Sequence, residues 1–237
     1  MFDIDFAHVV LMYGCLLFSL CVHEAAHAAM ANHCGDPSAK LMGRLTLDPR
    51  KHIDPIGTVL MPLLMLTMQV PYLFGWAKPV PFNPRNLNNI KRDPVYIAMA
   101  GPASNLLIAL ACAFILRIIM HVPGINPNDV LGIIIQFLTN ENLGAPGADS
   151  ALGISVLILF ALIMINLLLM AFNLIPVPPL DGHYVLHFFL PPSGQRMLEQ
   201  IGPFGILIVI IFIAPNFLPP VMNALMSGVF FLLTVGM

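Results

Sequence analysis

The chain has 237 residues, 58 % of them hydrophobic and 9 % charged, with a formal net charge of −2 and a mean hydropathy of +0.87. A soluble globular domain carries roughly 25 % charged residues, so a water-exposed fold is excluded and an integral membrane protein, in contact with the lipid bilayer, is expected. No basic tract is present, which removes nucleic acid as a partner.

The N-terminus, MFDIDFAHVV, has two aspartates and no lysine or arginine. A secretory signal needs a basic start and a small-residue cleavage site, so residues 6–31 are read as a retained first span. About 20 apolar residues cross a bilayer. Loop 32–55 carries Lys40, Arg44, Arg50 and Lys51, and loop 75–94 carries Lys78, Arg85, Lys91 and Arg92. Between them, segment 56–74 is apolar but holds Pro62 and Pro71. Residues 95–120 form a second span and 151–175 a third, and loop 121–150 between them has no lysine or arginine. The apolar tract 202–236 is interrupted by APNFLPP, which predicts a hairpin of two shorter helices. The expected fold is an all-α polytopic membrane protein with five or six transmembrane helices and a re-entrant or β-containing segment after the first helix. It is one domain, 1–237, with a core over 6–190 and a C-terminal hairpin over 202–236.

Charge sets the expected orientation. Basic loops stay on the cytoplasmic side, so 32–55 and 75–94 belong inside and 121–150 outside. Both flanks of 56–74 are then on one side, which favours a re-entrant path over a full crossing. The N-terminus is expected outside and the C-terminus inside. Arg117, near the outer end of its span, can snorkel to the headgroups. The four cysteines (15, 21, 34 and 112) show no CxxC spacing and read as small buried hydrophobes.

The polar run Cys21-Val22-His23-Glu24-Ala25-Ala26-His27 lies inside the first span. His23 and His27 are one helical turn apart on one face, so both imidazoles can bind one metal ion. Glu24 sits about 100° round the helix from His23, beside the site without being a ligand. H-E-x-x-H on a helix is the pattern of zinc proteases, with the glutamate as general base. Such a site needs a third protein ligand and an open position. The acidic candidates next to apolar segments are Asp54, Asp93, Asp149 and Asp181. Asp181 stands out because the prolines of NLIPVPPLDG end the third span and present it at the inner end of its helix, the level reached by His23 and His27. A histidine–glutamate packing pair, and an Asx turn at Asp181, are the bland alternatives. A rival metal set is Asp181 with His183 and His187, which lacks an adjacent carboxylate base. His8, His33, His52 and His121 read as loop and interface residues.

Two asparagine readings stay open. Asn173 and Asn166 share a face of the third span and point into protein; Asn173 is either a donor to a substrate backbone or oxyanion, or interhelical glue. Asn105, in GPASN at the start of the second span, either aids the site or packs, with Gly101 and Ala103 allowing close backbone approach.

HEAAH in a membrane helix, then GPASN, then NLIPVPPLDG resemble the site-2 protease family of intramembrane zinc metalloproteases (peptidase family M50). GDPSAKLMGRLTLDPRKHIDPIGT with GWAKPVPFNPRNL resembles its compact bacterial branch without PDZ or CBS domains. The resemblance implies one Zn2+ held by His23, His27 and Asp181, Glu24 as the catalytic carboxylate, and Asn173 at the family's asparagine before LDG. It also implies cleavage of peptide bonds within or near the transmembrane helices of membrane-protein substrates, at an inner-membrane site near the cytoplasmic face. A membrane zinc transporter or sensor, and an inactive helix-binding adaptor, are the alternative classes.

Overall fold

The computed structural model describes residues 6–67, 75–139 and 150–236. Asp149 and residues 68–74 of the second apolar segment lie outside the described residues. Among the described residues the fold is all helical, with no strand. Four helices are long and apolar enough to cross a membrane: Val9–His33, Asp93–Met120, Ala151–Asn173 and Phe204–Thr234. The chain is a membrane protein.

Helix α1, Phe6–His33, has no proline or glycine break after Gly14 and ends where Gly35 takes φ +103°. The left-handed turn lets the Asp36 N–H return to the Ala31 carbonyl (2.9 Å), a glycine-dependent helix stop. A Cβ at Gly35 would also meet Asn88 Oδ1 at 2.8 Å. The short helix α2, Ser38–Leu41, follows.

The second apolar segment begins with Asp54, which caps it by accepting from the Ile56 and Gly57 N–H groups. A π-helical turn, Pro55–Leu60, leads into α3, Met61–Thr67. The apolar helix Pro55–Met65 is shorter than a span. The returning chain lies beside its start: Trp76 N–H donates to the Gly57 carbonyl (3.1 Å) and Lys78 N–H to the His52 carbonyl (2.8 Å). The β-structure expected after the first helix does not form among the described residues. Pro79, Pro81 and Pro84 have no N–H for a ladder, and the remaining donors go to isolated carbonyls and carboxylates.

Helix α4, Asp93–Met120, starts on Pro94 and contains Pro102. Helix α5, Pro127–Thr139, buries Val130, Ile133, Ile134 and Phe137. It lies in what the sequence offered only as a loop. Helix α6, Ala151–Asn173, is capped by Ser150 and is the central post of the bundle, with 56 % of its span buried. One continuous core joins Leu16 and Leu20 of α1, Leu116 of α4, Ile134 of α5 and Phe160 and Ile163 of α6. Helix α7 is Gly182–Phe189.

The C-terminal hairpin is not formed. Helix α8, Pro192–Ile208, passes through a π-helical turn, Val209–Ile213, into α9, Ala214–Thr234, which carries Pro219 and Pro220 internally. Prolines are tolerated in membrane helices where other groups take up freed carbonyls. One span therefore replaces two, and this moves the C-terminus. Arg117, at the end of α4, donates to the carbonyls of Leu232 and Val235 (2.7 Å). The C-terminus thus lies at the same end as Arg117, opposite to the expected one.

Candidate metal centre

Two chain segments bring the ligand-type residues together. His23 and His27 share one face of α1, a turn apart. Asp181 arrives on the tight loop after α6, where Pro178-Pro179 is a cis peptide. Gly182 makes that loop possible, because a Cβ there would overlap the Leu174 and Ile175 carbonyls. Gly205 of α8 packs equally closely on the Pro178 carbonyl, so both glycines serve to bring backbone against backbone.

His23 Nε2 and His27 Nε2 are 3.0 Å apart. Asp181 Oδ2 lies 3.2 Å from the first and 3.4 Å from the second. These are the only His, Cys, Asp or Glu side chains that converge as a metal-ligating group among the described residues. Zinc bonds of 2.0–2.2 Å in tetrahedral geometry imply ligand separations of about 3.3 Å, and the three observed distances bracket that value. Asp181 Oδ2 is buried without a hydrogen-bond partner, an expensive state that a cation relieves. Gly101 of α4 faces the pair, and a Cβ there would overlap both imidazoles. The donor set fits a zinc ion.

The far sides of the rings are also fixed. His27 Nδ1 donates to the Ile97 carbonyl (2.7 Å), near the start of α4. His23 Nδ1 meets Asn105 Oδ1 at 2.5 Å. Asn105 Nδ2 donates to Asn166 Oδ1 (2.7 Å), so its oxygen must face His23, and His23 Nδ1 must carry the proton. Asn166 Nδ2 in turn donates to Ser19 Oγ (2.8 Å) and the Leu162 carbonyl (2.8 Å). Ser19 Oγ donates to the Cys15 carbonyl (2.7 Å). Ser19, Asn105 and Asn166 are fully buried. Each Nδ1–H is thereby engaged, and each Nε2 lone pair points at the ligand cluster, the arrangement that orients metal-binding imidazoles.

Glu24 is buried beside the cluster, and its Oε2 accepts from the Val80 N–H (3.0 Å). Val80 belongs to the strap 75–88. The strap's far end is held by Asp36, whose carboxylate accepts from Asn83 N–H (2.6 Å), Asn86 Nδ2 (2.9 Å) and Ser38 Oγ (2.6 Å). Burial raises the Asp36 pKa, but these donors outweigh it and hold the group down at about 2.

The structure sorts the other candidates. Asp54 caps the π-helical turn, and Asp93, in the first turn of α4, accepts from Asn89 N–H (2.7 Å) and pairs with Arg92 (3.1 Å). His183 and His187 do not converge with Asp181: His183 Nδ1 donates to the Leu180 carbonyl (2.5 Å), and His187 pairs with Glu199 (3.5 Å). Asn173 donates to the Leu169 carbonyl in its own helix (2.9 Å). Ala103 is exposed and has no part in the close approach that Gly101 makes. His52, read as a loop residue, is buried, its Nε2 against the Thr46 carbonyl (2.8 Å). All four cysteines are free and buried. Sequence reasoning missed Val80 and Ser19. A backbone N–H has no side-chain signature, and a serine in an apolar helix usually bonds its own i−4 carbonyl, as Ser19 also does.

Comparison with known proteins agrees with this geometry. Residues 11–214 match the model of Peptidase family M50. The chain is 35 % identical over 213 residues to "Putative zinc metalloprotease YwhC" of Bacillus subtilis, covering 88 % of this chain and 84 % of that protein. It is 28 % identical over 214 residues to "Putative zinc metalloprotease Rip2" of Mycobacterium tuberculosis, covering 90 % and 68 %. The Rip2 protein of Mycolicibacterium smegmatis is 25 % identical over 204 residues, covering 86 % and 66 %. No solved structure matches. With the family pattern spanning most of the chain and the three donors converging inside it, this protein belongs to peptidase family M50.

Proposed function

We propose that the chain is a zinc-dependent intramembrane endopeptidase that cleaves within or near transmembrane helices of membrane-protein substrates. The observation that carries this reading is the convergence of buried His23 and His27 with half-buried Asp181, with the Glu24 carboxylate next to His23, inside a bundle of membrane-length helices. A carboxylate costs roughly 2.5–3.5 kcal/mol at the centre of a membrane helix, so Glu24 has to be offset by a function. The metal-protease relatives support zinc as the ion.

His23, His27 and Asp181 would hold the zinc, which when bound supplies Lewis acidity toward water and the scissile carbonyl. Glu24 accepts the proton of the attacking water and delivers it to the leaving amine. Asn105 orients His23 instead of touching substrate. The Asn173 bond to Leu169 is local and exchangeable, so Asn173 stays the candidate donor to the substrate backbone. A substrate helix must unwind locally, since its carbonyls are already bonded within itself. The irregular residues 75–83 of the strap are the backbone that would receive it by strand addition.

In this reading segment 56–74 takes a re-entrant path, supported by the adjacency of Lys78 to His52 and of Trp76 to Gly57. The basic flanks place the ligand end at the cytoplasmic face of the inner membrane. The deciding experiment uses purified protein in proteoliposomes with a transmembrane-helix substrate. Glu24→Gln should keep one zinc per chain and lose cleavage, and Asp181→Ala should lose both. Normal cleavage by Glu24→Gln would overturn the reading.

A further inference from the structure

Nothing in the reaction as described accounts for the contact between Glu24 and the Val80 backbone. Glu24 comes from α1, whereas Val80 is 56 residues further on. The part of the strap that carries Val80, residues 75–83, is neither helix nor strand, and one 3-10 turn, Pro84–Asn86, follows it. It is tied at both ends. On one side Trp76 N–H and Lys78 N–H reach the Gly57 and His52 carbonyls, Thr58 Oγ1 donates to the Trp76 carbonyl (2.8 Å), and the Trp76 indole lies where a Cβ of Gly57 would be. On the other side Asp36 holds Asn83 and Asn86, and Asn88 N–H reaches the Cys34 carbonyl (2.8 Å).

Between these ties runs Pro79-Val80-Pro81. The prolines have no N–H, so Val80 carries the single backbone donor of the three. Proline also fixes its own φ and restricts the residue before it to extended conformations, which stiffens Val80 from both sides. A donor held in this way engages one carboxylate oxygen, Oε2, and leaves the direction of Oε1 determined.

We propose that the Val80 N–H is a positioning group for Glu24, and that the strap aims the base. The inference rests on the protease reading above. It makes the strap more than a substrate platform: displacement of Val80 by an incoming chain would register at the carboxylate directly. A hydrogen bond to a charged group is worth enough that its loss corresponds to about a tenfold to hundredfold drop in rate.

The test removes the N–H alone. Replacing the Val80 residue by its α-hydroxy acid, through suppression or semisynthesis, turns the amide into an ester and keeps the side chain. Val80→Pro removes the same N–H by ordinary mutagenesis. In proteoliposomes with a transmembrane-helix substrate, the ester and Val80→Pro proteins should lose about tenfold to hundredfold in kcat. KM should stay within twofold of wild type and zinc at one per chain. A wild-type kcat in the ester protein, or a loss confined to KM, overturns the proposal. Glu24→Gln separates this from the parent reading: if it still cleaves, the protease assignment fails. If it is inactive while the ester protein is normal, only the aiming role fails.

Discussion

Two spans of this protein have nearly the same composition and opposite surroundings. Helix α6 has 56 % of its apolar window buried, and Phe204–Thr234 has 11 %. Both are rich in leucine, isoleucine and phenylalanine. The difference is Asn166. It sits at the centre of α6, fully buried, and its amide joins α4 to α1 through Asn105 and Ser19. A buried amide without partners is costly, so α6 has one acceptable position among its neighbours. Leu207, Ile208, Ile210, Ile211, Phe212 and Phe231 in the last span expose large apolar side chains instead, as lipid allows. Polar groups, more than greasy ones, decide where a membrane helix stands.

That contrast can be broken by substitution, and the largest effect is expected closest to the ligands. Gly101→Val drives a branched side chain into both imidazoles. Overpacking of this kind costs about 1–3 kcal/mol or more, so zinc affinity should fall by about a hundredfold, measured by competition with a chelator. Full zinc retention would show that α4 can retreat from the site. Next comes Asn105→Leu, which removes the acceptor for His23 Nδ1 and the donor to Asn166. Loss of such an outer partner typically reduces metal affinity by about 10–100-fold, and the same chelator titration reads it.

A smaller effect concerns the strap. The Asp36 pKa is held at about 2 by its donors against the opposing effect of burial, below the ordinary value of about 3.9. A depressed carboxylate contributes stability that is fully present above its unfolded pKa and is lost as pH falls through about 2. Melting in detergent should therefore drop between pH 4 and 2. In Asp36→Asn that part of the pH dependence should be missing, and a wild-type profile in the variant would dissociate the strap's anchoring from Asp36. The smallest effect belongs to the lipid-facing span. Phe231→Ala, at an exposed position, should change stability by about 0.5 kcal/mol or less and leave zinc content intact. A large loss there would mean that the last span is supporting the site after all.

Much of the site can be read from letters alone, because its chemistry is spaced by a helix. His23, Glu24 and His27 are fixed by 3.6 residues per turn, and Asp181 by the prolines that leave α6 no way to continue. The three long spans follow from apolar length. What resists reading is pairing. Asn105, Asn166 and Asn173 look alike in sequence, and only the register between α4 and α6 shows that the first two join while the third turns back on Leu169. Proline misled the reading of the last tract: Pro219 and Pro220 signal a turn in water, but a lipid-embedded helix has no solvent to receive freed backbone groups and stays helical. Helix α5 was hidden because a loop without lysine or arginine offers charge information only.

The Arg117 clamp on the carbonyls of Leu232 and Val235 also governs what can be attached to this protein. His27 lies against Ile97 at the start of α4, whereas the clamp sits at that helix's other end, so the whole length of α4 separates the ligands from the C-terminus. A fluorescent protein or affinity handle joined after the last span would hang from the face opposite the metal. It would leave access to the strap unobstructed, and its accessibility from one side of a sealed vesicle would report which way the ligand end points.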